Sequence, residues 1–329
     1  MMRLHALILG FALIPGVAAV AAEPELSQQL VAADGWVGYH VPMIGTGGAP
    51  CCYAGNRGTD LRKTRCDLDS RGGTFVSSQP DPASAAQLSV YWHVADGKAD
   101  RVRAFAADCA VTSHQPVRWI DPIAAADSVG LLKGWITGGH HGRDSFDLAA
   151  LALHADAGAT TALIELAAVG EPIDLRKDAI FWLGHARGAE GADFVERVAI
   201  GDANADLREH AVFALSQSNE PDAYERVRAI SKRDASGEVR GKAMFWMAQM
   251  HDPRAQADIL AALGSESSNP VREEAVFALS QLDEAVATKA LIAVIRGNYP
   301  RPVKEKALFW LGQAGTDEAM AFLDEVLTR

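Results

Sequence analysis

The chain has 329 residues, with 31 Lys and Arg against 42 Asp and Glu, a formal net charge of -11. That length accommodates more than one domain. The acidic balance disfavours a phosphate polymer as partner, because no Lys/Arg cluster overturns it.

Residues 1–22 read as a targeting segment, with Arg3 at its start, an apolar run over Ala6–Ile14, and small residues Ala19-Val20-Ala21-Ala22 for cleavage. No later stretch is long and apolar enough to suggest stable membrane insertion. The expectation is an exported protein, in the periplasm of a Gram-negative bacterium.

Residues 23–120 read as a small, disulfide-stabilised, mostly-β domain. The segments Trp36–Pro42, Gly72–Val76 and Gln87–Val94 suggest strands, Thr46–Tyr53 and Asp81-Pro82 suggest turns, and Asp96-Gly97 marks a hairpin. Arg101–Phe105 alternates as a strand with one exposed face would. All 4 cysteines lie here: Cys51, Cys52, Cys66 and Cys109. An even count in an exported chain predicts two disulfides. Adjacent Cys51 and Cys52 bond to each other only with strain, so one is expected to pair with Cys66 and the other with Cys109. No Cys-x-x-Cys supports zinc or redox chemistry. His40, His93 and His114 are spaced too irregularly to define a metal site. Residues 121–146 form a linker with a helix near Ile123–Ile136 that caps the repeat array, then a break at Gly138-Gly139-His140-His141-Gly142. The His140-His141 pair is read as a loop rather than as metal ligands.

From about residue 147 to 329 the sequence repeats every 32 residues, about six times. The core motif is AIFWLG at Ala179–Gly184, AVFALS at Ala211–Ser216, AMFWMA at Ala243–Ala248, AVFALS at Ala275–Ser280 and ALFWLG at Ala307–Gly312. A fixed period of this length marks a solenoid of helix pairs. Leu175, Ala179, Trp182 and Leu183 define the core arc of a first helix, opened by Asp174-Leu175-Arg176 with Asp as its cap. Leu163, Val195, Val227, Ile259, Leu291 and Leu323 mark the second helix. A second period, of 64, places Trp182, Trp246 and Trp310 in alternation with Ala214 and Ala278, a device for filling a layered core.

Over roughly 147–329 the apolar-Arg opening, central Ala and Leu-Gly ending resemble the HEAT-repeat family, in particular the short HEAT-like repeats of phycobilisome lyases. The resemblance implies an all-α superhelical solenoid that binds or scaffolds proteins. HEAT-like arrays also include an iron hydroxylase with paired His-Glu ligands. Here the corresponding places are Lys177-Asp178, Glu209-His210, Gly241-Lys242, Glu273-Glu274 and Glu305-Lys306, which do not build a symmetric metal centre.

Phe181, Phe213, Phe245, Phe277 and Phe309 recur every 32 residues, at about 240° from Leu175 for 100° per residue. That direction is the polar flank of the helix, and these five rings are the candidate binding residues. Two accounts stay open: rings folded into the neighbouring repeat's core, or a partly exposed ladder for a protein or peptide. The functional expectation is a non-catalytic periplasmic protein-binding scaffold or adaptor, with no cofactor, no metal and no catalytic residue. The alternative is an envelope enzyme with a cryptic site where the β domain meets the solenoid.

Overall fold

The computed structural model describes residues 26–45, 51–54, 62–70, 87–120, 122–142 and 146–327. The expected targeting segment, the strand at Gly72–Val76, the Asp81-Pro82 turn and most of the Thr46–Tyr53 turn region lie outside these residues.

A short helix α1 (Leu26–Val31) precedes strand β1 (Gly35–Pro42). Then come β2 (Cys52–Ala54), β3 (Arg62–Thr64), β4 (Cys66–Asp67), β5 (Gln87–Ala95), β6 (Lys98–Ala106), β7 (Val111–Thr112) and β8 (Arg118–Trp119). The main sheet runs β6-β5-β1-β8, antiparallel except for the parallel β1/β8 edge. The β5–β6 hairpin turns at Asp96 and Gly97, whose φ values of 52° and 69° are left-handed, as a turn with two such residues requires.

Period-2 alternation splits β1 and β5 between two cores. Val37, Tyr39, Val41, Val90 and Trp92 join one cluster that continues into the helices. Trp36, Tyr91 and Phe105 face a second cluster with Cys51, Cys66, Leu68 and Cys109. Disulfides Cys51–Cys109 and Cys52–Cys66 close this second layer, in the expected one-to-each arrangement. The exposed face expected for Arg101–Phe105 is not there, because both sides of the sheet are covered. Arg103 is buried; its guanidinium donates to the carbonyl of Ser70 at 2.9 Å and lies 5.0 Å from the Phe146 ring. A buried polar chain ties the sheet to the next helix: Trp92 Nε1 donates to Tyr39 Oη (3.2 Å), which meets Ser128 Oγ (3.1 Å). Burial pushes the Tyr39 phenol up to about 12.

Helix α2 (Ala125–Trp135) and a π turn over Ile136–His140 lead into six helix pairs. They are α3/α4 (Asp147–Leu153, Gly158–Leu166), α5/α6 (Ile173–Ala186, Gly188–Gly201), α7/α8 (Ala205–Ser216, Ala223–Arg233), α9/α10 (Gly237–Gln249, Ala255–Ser265), α11/α12 (Asn269–Ser280, Glu284–Arg296) and α13/α14 (Arg301–Ala314, Asp317–Leu327). Helix α2 packs on α3 and α4 of the first pair and also contacts β1. The end of β1 reaches α3 through backbone bonds, Ile44 N to Leu153 O (2.9 Å) and Ala155 N to Pro42 O (2.8 Å). Sheet and solenoid therefore share one continuous core. Among the described residues no helix is long and apolar enough to cross a membrane.

The first helices begin slightly earlier than their Asp residues suggested. Asn204 and Ser236 are the caps, accepting from Asp206 N and Val239 N; Asp174, Asp206 and Glu238 sit inside the first turn, where their charge meets the positive end of the helix dipole. Leu175, Ala179 and Leu183 are buried as expected, but so are Ile180, Val212, Met244 and Val276, which the core arc omitted. They are covered because each first helix lies between its own second helix and two neighbouring first helices. First helices pack on one another far more extensively than second helices do, so the array curves toward the first-helix layer. At Gly184 a Cβ would stand 2.6 Å from the Ala214 carbonyl oxygen.

The apolar-Arg opening has a structural role. Arg208 donates Nε and Nη2 to Asp234 (2.8 and 3.0 Å) and Nη1 to the Asp202 carbonyl (3.0 Å). Arg240 repeats this with Glu266 and the Asp234 carbonyl, and Arg176 with Asp202 and the Ala167 carbonyl. Each arginine thus staples two successive inter-repeat loops. In the next repeat Arg272 instead meets Asn269 Oδ1 at 3.3 Å.

Candidate functional site

The five phenylalanines stand on the first helices, outside the buried core cluster. Phe181, Phe213, Phe245 and Phe277 are half-buried, and Phe309 is 54% exposed. Their rings meet across repeats. Phe181 stacks on Phe213 (5.7 Å, 14°), and Phe245 on Phe277 (5.7 Å, 7°).

The tryptophans close the gaps between these pairs. Trp246 lies 4.8 Å from Phe213 and 5.0 Å from Phe245; Trp310 lies 5.1 Å from both Phe277 and Phe309. The period of 64 is therefore more than a core device. Trp182, Trp246 and Trp310 do pack against the core, with Ala214 and Ala278 fully buried, but their rings also join the phenylalanines. The result is an unbroken aromatic strip from Phe181 to Phe309 along the inner layer. His185 extends it, stacked on Phe181 at 5.4 Å.

Polar walls flank the strip. A cleft of about 380 Å³ is lined by Lys177, Asp206, Glu209, His210, Phe213, Lys242, Phe245 and Trp246. Burial raises the Glu209 carboxyl above its usual range, with Lys242 Nζ 3.8 Å away. His210 Nε2 donates to the Lys177 carbonyl (2.8 Å), and burial pushes its imidazole down. The walls hold both signs of charge over an aromatic floor. Such a surface suits apolar or aromatic side chains of a ligand, with polar backbone at the rim.

The remaining histidines are dispersed. His40 stacks on Trp119 (4.4 Å), His93 Nδ1 faces Asp100 (2.7 Å), and His114 Nδ1 faces Asp69 (2.9 Å). His140 stacks on Trp135 (4.3 Å). His141 turns the other way, placing Nδ1 3.0 Å from Asp147 and Nε2 3.2 Å from Asp178. Sequence spacing did not find this bridge, because its second partner is 37 residues away on α5. Among the described residues, the ligand-type atoms that gather within 4.8 Å are those of Cys51, Asp108 and Cys109, and the two sulfurs there are bonded to each other.

Comparison with known proteins gives three findings. Residues 225–312 match the model of the family of HEAT repeats. No curated protein matches the chain. Among solved structures, human deoxyhypusine hydroxylase in complex with glycerol is similar at 16% identity, covering 59% of this chain and 81% of that one, with a TM-score of 0.32.

Proposed function

We propose, from the premise that this chain carries HEAT repeats through residues 225–312, that it is a non-catalytic scaffold which holds a segment of a protein partner against the aromatic strip. The observation that carries this reading is the strip itself. Core rings gain most by complete burial, yet these five remain half-buried to exposed at the same helical position. Aromatic anchors of this kind dominate the energetics of protein interfaces. An inner solenoid surface presents them in a row, one repeat after another.

An exported, periplasmic setting is part of the proposal. It is supported by the charged-then-apolar start of the chain and by two disulfides, which persist in oxidising compartments.

The test is selection of linear peptides from a random library on the full-length protein, followed by calorimetric titration. Peptides selected this way lose about tenfold or more in affinity on Phe245→Ser with Phe277→Ser, equivalent to about 1.4 kcal/mol or more. Unchanged affinity in the folded double variant refutes the reading.

A further inference from the structure

The described part of the linker reaches α5, the helix that carries the first ring of the aromatic strip. After α2 the chain makes its π turn, passes Gly139 at a φ of 82°, and delivers His141 between two carboxylates. Asp147, at the start of α3, is fully buried; its Oδ1 also accepts the Leu148 N–H at 2.6 Å. Asp178 stands on α5, where His210 and Lys242 stand on α7 and α9 as lining residues of the cleft. It therefore belongs to the first rung, three residues before Phe181. A neutral imidazole has one N–H and one lone pair. Between two carboxylates it donates to one and repels the other. Only imidazolium donates to both.

We propose that His141 is a proton-operated latch: when charged it holds the 136–142 segment against the first rung of the strip, and on losing its proton it keeps Asp147 and releases Asp178. The regulatory meaning of the latch rests on the binding role given to the strip. Burial decides which bond breaks. Asp147, at 0% side-chain exposure, has no water to replace a lost donor, whereas Asp178 is 57% exposed.

Among the described residues, the charged groups facing the ring are these two carboxylates, one from α3 and one from α5. Their hydrogen bonds, first from Asp147 and then from Asp178, outweigh burial and hold the imidazole up at about 9 instead of 6.5. The folded value is the raised one. The latch contribution is therefore complete below about 6.5 and is lost as pH rises through about 9.

The test is 13C-detected NMR of the full chain over this range, which rapid amide exchange at high pH does not erase. The His141 ring, the Gly139 backbone and the Phe181 ring are expected to shift with one shared midpoint near 9. Asp178→Asn lowers that midpoint by about one pH unit or more. His141→Ala removes the transition from Gly139 and Phe181. Circular dichroism at each pH verifies that the helices remain. A His141 midpoint near 6.5, or a high midpoint that Gly139 and Phe181 do not follow, overturns the latch. No ligand enters this experiment, so loss of the latch and loss of the binding reading are separate results.

Discussion

Replacing Phe245 by Ala measures what kind of surface the strip is. The ring has two aromatic neighbours, Trp246 at 5.0 Å edge-on and Phe277 at 5.7 Å stacked. At about 0.5–1.5 kcal/mol per aromatic pair beyond the area buried, the two pairings account for about 1–3 kcal/mol of the cost. Ala is the better helix former, which offsets about 0.5 kcal/mol of that. Leu279, fully buried in the core cluster, is the control, and its truncation costs about 2–5 kcal/mol. Phe309, more than half exposed and with Trp310 as its ring neighbour, loses only about 0.5–1.5 kcal/mol. Urea unfolding followed by circular dichroism ranks the three by midpoint at unchanged slope. The predicted order of cost is Leu279, then Phe245, then Phe309. If Phe245→Ala costs as much as Leu279→Ala, the rings are core, and a surface role for them is refuted.

Further predictions follow from the packing. Gly184→Ala, which sets a methyl against the Ala214 carbonyl, destabilises by about 1–3 kcal/mol, whereas Gly312→Ala at the same repeat position meets nothing within 4 Å and stabilises by about 0.5–1 kcal/mol; paired melting curves decide. Arg208→Ala strands the nearly buried Asp234 and costs about 3 kcal/mol in urea. For Asp202, Asp234 and Glu266, burial would raise the carboxyls, but arginine and backbone N–H bonds win and hold them low. Their contribution is present above the ordinary carboxylate values and is lost as pH falls through the depressed ones, so Arg208→Ala flattens the acid limb of a stability–pH profile. Removing Cys51–Cys109, which spans 58 residues, costs about 4 kcal/mol by loop entropy. Removing Cys52–Cys66, which spans 14, costs about 3 kcal/mol. Serine double variants compared by melting test that order.

The solenoid and the shared direction of the phenylalanines were legible because period and helical angle are local properties of a sequence. Phe181 and its four equivalents share one angle, and none of them is a buried member of the core cluster. The part played by Trp246 and Trp310 was not legible, since each ring meets the phenylalanine of the preceding repeat, and that contact depends on how repeats stack. The burial of Ile180 and Val212 was missed for the same reason. Arg103 reads as a solvent-facing residue until the layer carrying Ser70 covers it. His141 drew notice only as half of a histidine pair, whereas its partners come from two different helices.

Hydrogen exchange of the full-length protein with and without a library-selected peptide tests the central claim most directly. Binding on the strip predicts slowed exchange in the first helices α7, α9 and α11, centred on Phe213, Phe245 and Phe277, and little change in α8, α10 and α12. Protection confined to those second helices, or to the β1–β5–β6 sheet, would contradict it.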